Sequence, residues 1–120
     1  MPGVTIEVRR CLAPESERAL IGAVAAAITS AFDIPESTLA LRLVVHEPER
    51  FPLPRDKDER FTLITIDCFE GRSVEMKRAL YAALATALGD LGIPADHMKV
   101  SLRESARENW GILGVPASGD

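Results

Sequence analysis

Over residues 3 to 9, Val4, Ile6 and Val8 alternate with Thr5, Glu7 and Arg9. That is the two-residue period of a strand with one buried face. From Glu15 to Phe32 the apolar positions Leu20, Val24, Ala27, Ile28 and Ala31 recur at spacings of three and four, behind a Pro14 suited to a first helical turn. The pattern predicts an amphipathic helix. After a turn at 33–35, residues 39–45 form a leucine- and valine-rich run, too short for a core helix and suited to a buried strand. Residues 47–60 hold three prolines and nine charged side chains with no apolar period, and predict an exposed linker. The order then repeats. Residues 61–69 predict a strand, residues 73–91 a helix with Leu80, Leu84, Leu88 and Leu91 at helical spacing, and residues 98–102 a closing strand.

The two halves correspond position by position. A shift of 60 pairs Ile6 with Ile66, Leu20 with Leu80, Val24 with Leu84 and Ile28 with Leu88, and a shift of 59 pairs Ile34-Pro35 with Ile93-Pro94. Near the unit ends, Arg42 and Glu47 are expected to mirror Lys99 and Glu104, each pair five residues apart. This is the signature of an internal duplication. It predicts an α/β fold (α+β in some schemes) made of two tandem β-α-β units, related by a pseudo-twofold axis, that form one four-stranded sheet with both helices on one face. The expected organisation is a single domain over 1–120, with one unit at 2–46, a linker at 47–60 and a second unit at 61–114. Parallel pairs are usually buried on both faces, so the face without helices is expected to be apolar and covered by other subunits.

With 120 residues, 47% hydrophobic and 27% charged, the chain fits one folded domain of ordinary composition. A formal net charge of -4, with dispersed Lys and Arg, argues against a nucleic-acid partner. Cys11 and Cys68, the only two cysteines, form no metal-binding spacing and are expected to be buried thiols in a reducing compartment. There is no basic-then-apolar leader and no run of about 18 apolar residues, so no membrane partner is expected and the location is read as cytoplasmic.

Duplicated β-α-β units that begin Met-Pro, with EGRS (70–73) opening the second helix and NWGILG (109–114) ending in an aromatic-glycine hairpin, resemble two concatenated 4-oxalocrotonate tautomerase subunits. The sequence is thus similar to a fused member of the tautomerase superfamily. The resemblance covers nearly the whole chain and is closer in the second half, over 64–80 and 98–105. It implies a keto-enol tautomerase acting on 2-oxo or enol carboxylic acids, a homotrimer, a small-molecule carboxylate substrate and no cofactor.

The resemblance also implies roles for single residues. Small second residues permit removal of Met1, which would leave Pro2 as a secondary amine at a strand tip. An α-amino group titrates at about 7.7 to 8.0, and apolar walls favour its neutral form, which can act as a general base. Thr62 holds the equivalent place in the second half, where a mid-chain nitrogen cannot be basic. Arg72 stands where the family holds a substrate carboxylate, a task suited to a planar fork; Leu12 is its first-half counterpart. Arg42 and Lys99 stand where the family polarises the substrate carbonyl, and Trp110 where an aromatic lines the pocket and keeps it dry. For each residue the structural alternative is an ordinary one: Pro2 starting an edge strand, Arg72, Arg42 and Lys99 on the solvated surface, Trp110 as a packing anchor. His46 and His97 read as structural or surface residues.

Two alternatives are kept open. One is another chemistry of the superfamily, a hydratase or decarboxylase of small unsaturated or 3-oxo acids. Against it, the aspartate of malonate semialdehyde decarboxylases falls at Thr38, and the arginine and histidine of cis-3-chloroacrylic acid dehalogenase fall at Phe69 and Thr29. The other is a non-catalytic oligomeric binding module, motivated by Leu12 and the poor fit of residues 9–13 to the family junction.

Overall fold

The computed structural model describes residues 2–10 and 12–118. Cys11, which the sequence reading paired with Cys68 as a buried thiol, lies outside the described residues, as does Met1. Strand β1 spans Gly3–Arg9, helix α1 Pro14–Phe32 and strand β2 Ala40–His46; strand β3 spans Thr62–Phe69, helix α2 Val74–Gly89 and strand β4 Met98–Ser105. A short hairpin, β5 at Gly111–Ile112 and β6 at Val115–Pro116, follows. The sheet order is β2-β1-β3-β4. The outer pairs are parallel and the central β1–β3 pair is antiparallel, as two β-α-β units facing each other across a twofold require.

The register shows the axis. Thr5 lies opposite Thr65 in the antiparallel pair, so the pseudo-twofold relates residues 60 apart, the shift at which the apolar positions match. Leu20, Val24 and Ile28 of α1 and Leu80, Leu84 and Leu88 of α2 are all buried, and join Val4, Ile6, Val8, Ile64 and Ile66 in one core beneath the helices.

Helix α1 starts at Pro14 with no side-chain cap on Ala13. Helix α2 starts behind Ser73, whose Oγ accepts from the Met76 N–H at 3.2 Å, satisfying one of the donors that a helix start leaves open. Gly71, at φ 113°, makes the turn into it, a conformation side-chain-bearing residues rarely adopt. Leu91 does not extend α2 as its spacing predicts: the helix ends at Gly89, and Leu91 lies in the turn beyond it with 42% of its surface exposed.

Two expectations are corrected. Arg42 pairs with Thr5 and Ser101 pairs with Thr65, so the counterpart of Arg42 is Ser101. Lys99, opposite Leu63, mirrors Ala40, opposite Gly3. The equal five-residue spacing to Glu47 and Glu104 misled because the units differ in register: the short 3-10 turns at Pro48–Arg50 and Arg107–Asn109 are the true equivalents, and each ends on an aromatic, Phe51 and Trp110. Second, the face without helices is predominantly polar, not apolar. It carries Thr5, Glu7, Arg42, His46, Thr65, Asp67, Lys99, Ser101 and Arg103 at positions alternating with the core, with Val44 and Leu63 flanking Glu7 as an apolar minority. A hydrogen bond between His46 Nε2 and Glu7 at 2.9 Å and an ion pair from Arg103 Nε to Asp67 at 2.8 Å cross it. The continuous apolar face expected from the sequence is therefore not present.

The linker is exposed but anchored. Arg9 donates to the Pro48 carbonyl and to Glu59, both at 2.8 Å, and Phe51 stacks on His46 with ring centroids 5.0 Å apart. His97 is buried; its Nε2 accepts from the Asp58 N–H at 3.3 Å and its Nδ1 lies 2.9 Å from Asp96 Oδ1. That hydrogen bond is the main cause holding the Asp96 carboxyl below its usual 3.8. A carboxyl depressed in the folded state adds stability above its unfolded value and loses it as pH falls through the folded one. Asp96→Asn is expected to lower the urea midpoint at pH 7 and to match the parent well below the carboxylate range; a gap independent of pH would assign the loss to packing.

Candidate active site

Antiparallel pairing of β1 with β3 carries the start of β1 to the end of β3: Gly3 lies opposite Asp67, which puts Pro2 level with Cys68. Pro2 is fully buried, and its carbonyl accepts from the Ala40 N–H at 3.1 Å. Burial pushes the Cys68 thiol up despite the nearby Arg72 guanidinium, so this buried thiol has little thiolate character.

Arg72 sits between the Gly71 turn and the Ser73 cap. Its Nη1 donates to the Phe69 carbonyl at 3.2 Å, and its guanidinium lies 4.2 Å from the centroid of Phe32, the last residue of α1. Trp110 packs edge-on against Phe69 with centroids 5.2 Å apart, and its Nε1 donates to Ser105 Oγ at 2.8 Å. On the helix side, Lys77 of α2 donates to Glu104 of β4 at 2.7 Å. Arg72 and Trp110 thus both touch Phe69, at the end of the sheet where the register also sets Pro2.

The other two sequence candidates are placed differently. Arg42 is near this end, two residues beyond Ala40, but on the open face. Lys99 is on that face as well, at the opposite end of β3 from Cys68. Both are exposed, and neither forms an ion pair among the described residues. Sequence reasoning missed Arg107, whose guanidinium lies 4.4 Å from the Phe69 ring centroid. Its place three residues before Trp110 was the available signal.

The pseudo-twofold provides an internal control. At the place equivalent to Pro2 and Arg72 stand Thr62 and Leu12, and they border a cavity of about 220 Å³ with Val8, Leu20 and Ile93. Thr62 is buried and donates its hydroxyl to the Arg60 carbonyl at 3.0 Å. Glu59 and Arg60 also line it, but the Arg60 guanidinium is already held by both carboxylate oxygens of Asp58 and the nitrogen of Thr62 is a peptide nitrogen, so this half lacks the pairing of an N-terminal amine with an arginine not held by a carboxylate. Among the described residues, no cluster of three His, Cys, Asp or Glu side chains could hold a metal ion, and no helix is long and apolar enough to cross a membrane.

A model of the tautomerase enzyme family, Tautomerase_2, matches residues 38–113. The chain is 39% identical over 57 residues to the probable tautomerase RSp0893 of Ralstonia nicotianae, covering 47% of this chain and 81% of the relative. It is 41% identical over 49 residues to the 2-hydroxymuconate tautomerase of Comamonas testosteroni, covering 40% of this chain and 78% of the relative. Alignments that take in most of a relative but under half of this chain fit two units in tandem. Among solved structures, Pt0534 inactivated by 2-oxo-3-pentynoate superposes with a TM-score of 0.87 at 24% identity, over 97% of both chains. The R7 fused 4-OT asymmetric trimer gives 0.86 at 17%, over 97% of this chain and 96% of that one. FG41 malonate semialdehyde decarboxylase, inhibited by 3-bromopropiolate, gives 0.81 at 22%, over 96% and 92%. Family model, relatives and fold agree: the chain belongs to the tautomerase family and has the architecture of a fused 4-oxalocrotonate tautomerase-like protein.

Proposed function

We propose that this protein is a keto-enol tautomerase of 2-oxo or enol carboxylic acids, with Pro2, freed by removal of Met1, as the general base. The observation that carries the reading is the placement of Pro2, buried at the head of a central strand and level with Cys68, at the end of the sheet where Arg72 and Trp110 meet around Phe69. A secondary amine freed there would be favoured in its neutral form by apolar surroundings, and in that form could take a proton from one atom of the substrate and return it to another. Arg72 holds the substrate carboxylate through whichever guanidinium nitrogens its Phe69 bond leaves free, and Trp110 limits water at the pocket. Arg42 lies exposed on the open face, where it could steady an enolate oxygen in the site of a neighbouring copy. A homotrimer, as in the R7 fused 4-OT structure, is the assembly that would make that approach possible. We place the protein in the cytoplasm, the compartment in which a reduced, buried Cys68 persists.

Ketonisation of 2-hydroxymuconate and phenylenolpyruvate by Met1-free protein tests the reading. Turnover is expected for at least one, and Arg72→Ala is expected to raise KM about tenfold or more through the lost charge-assisted contact. Turnover of 3-oxo or unsaturated acids without ketonisation would move the protein to hydratase or decarboxylase chemistry. Binding of such acids with no turnover of any would leave a binding module.

A further inference from the structure

The end of the sheet that holds Pro2 presents two guanidinium groups, and Phe69 separates them. Arg72 donates to the Phe69 carbonyl, and Arg107 lies over the Phe69 ring at 4.4 Å. Neither forms an ion pair with a carboxylate among the described residues, although Glu70 and Glu108 are their near neighbours in the chain. The pseudo-twofold sharpens the point. The counterpart of Arg72 is Leu12, and the counterpart of Arg107, at the head of the equivalent 3-10 turn, is Pro48. Neither cation therefore has a counterpart at its equivalent position, and the arginine that does stand beside Thr62, Arg60, is paired with Asp58 at 2.8 Å. A guanidinium stacked on an aromatic face keeps its edge free for an oxyanion.

We propose that Arg107 is a specificity-determining residue of the Pro2 site, holding the distal carboxylate of a dianionic substrate whose proximal carboxylate is held by Arg72. The inference rests on the Pro2–Arg72 reading for the location of the site, but not on the identity of the base. Arg107 is exposed, so its contribution is that of a partly solvated, charge-assisted pair and not of a buried one. It decides between acids that carry a second carboxylate and acids of the same length that carry none.

The test compares trans,trans-muconate with sorbate, which has the same six-carbon diene and a methyl group in place of one carboxylate. Affinities are measured by calorimetry for the parent protein, Arg107→Ala and Arg107→Lys. The parent is expected to bind muconate about tenfold more tightly than sorbate, as a single charge-assisted contact allows. Arg107→Ala should erase that preference with sorbate affinity unchanged, and Arg107→Lys should restore part of it. Equal weakening of both ligands in Arg107→Ala would reduce Arg107 to a support for Phe69 and overturn the proposal. So would a preference that survives the substitution, or a parent that binds muconate no more tightly than sorbate. Ketonisation is scored separately: a lost preference in a protein that ketonises nothing keeps the Arg107 assignment and removes the tautomerase one, whereas a surviving preference in an active enzyme does the reverse.

Discussion

A variant with one glycine inserted between Met1 and Pro2 is expected to lose ketonisation down to the solution background. Excision of Met1 from such a chain leaves glycine at the terminus and Pro2 as a peptide nitrogen, whose lone pair is delocalised into the carbonyl and takes no proton. If Pro2 is the base, the loss is the whole contribution of general base catalysis, about 10²- to 10⁴-fold. Pro2→Ala is the milder change, because excision leaves a primary α-amino group of ordinary basicity. What it loses is the ring that fixes the nitrogen beside the buried strand end, so part of the activity is expected to survive. The order of the two variants matters more than either magnitude. Glycine insertion below Pro2→Ala, both below the parent, assigns the chemistry to the terminal nitrogen. Equal and partial losses would show that the pocket is disturbed and that the base lies elsewhere. Mass spectrometry must first show that Met1 is absent, because an uncleaved parent already carries the amide.

Glycine insertion also tests the internal control. Thr62 at the equivalent place already has a peptide nitrogen, and Leu12 already lacks a guanidinium. The half that contains the 220 Å³ cavity therefore resembles, by its own sequence, the doubly substituted version of the other half. Activity remaining after the terminal nitrogen is blocked would point to a base other than Pro2, and Glu59, which lines that cavity, is the carboxylate to substitute next.

The fold was legible because every step of it is written in local patterns. The alternation of Val4, Ile6 and Val8, the four-residue spacing of Leu20, Val24 and Ile28, and the recurrence of both 60 residues later specify elements, faces and symmetry, and Thr5 opposite Thr65 realises that shift. Pairing across β2 and β4 was not legible. The residue level with Thr5 in β2 is 37 positions on, and the one level with Thr65 in β4 is 36 on; no local pattern marks that one-residue difference, and the chance repeat of a cation five residues before a glutamate put Lys99, two residues from the true counterpart Ser101, in its place. Nor did the run of valine and leucine in β2 show that the open face would be polar, since β-branched residues mark strands whichever face they occupy. Arg107 was harder to read: its contact is with the Phe69 ring, 38 residues earlier in the chain, and only the β3–β4 register that sets Phe69 level with Ser105 brings the two together, so nearness to Trp110 was the one signal in the sequence.

The symmetry of the core leads to the second large effect. Leu84→Ala is expected to destabilise the protein by about 3 kcal/mol, within the range of about 2 to 5 kcal/mol for burying a leucine-sized cavity in a packed interior. Leu84 is fully buried in α2, in the cluster that α1 and α2 share with the sheet. Its counterpart Val24 is equally buried and one methylene smaller, so Val24→Ala is expected to lose about 0.8 kcal/mol less. If the two units are one cooperative structure, each variant shifts a single urea transition without splitting it. The double variant should then depart from the sum of the two, because both side chains line one core. These measurements require equal protein concentration throughout, since association adds a concentration-dependent term. A loss below about 1 kcal/mol for Leu84→Ala, or two separate transitions, would mean that each β-α-β unit carries its own stability. The Pro2 end, which needs β1 of one unit against β3 of the other, would then be the first part of the molecule to open.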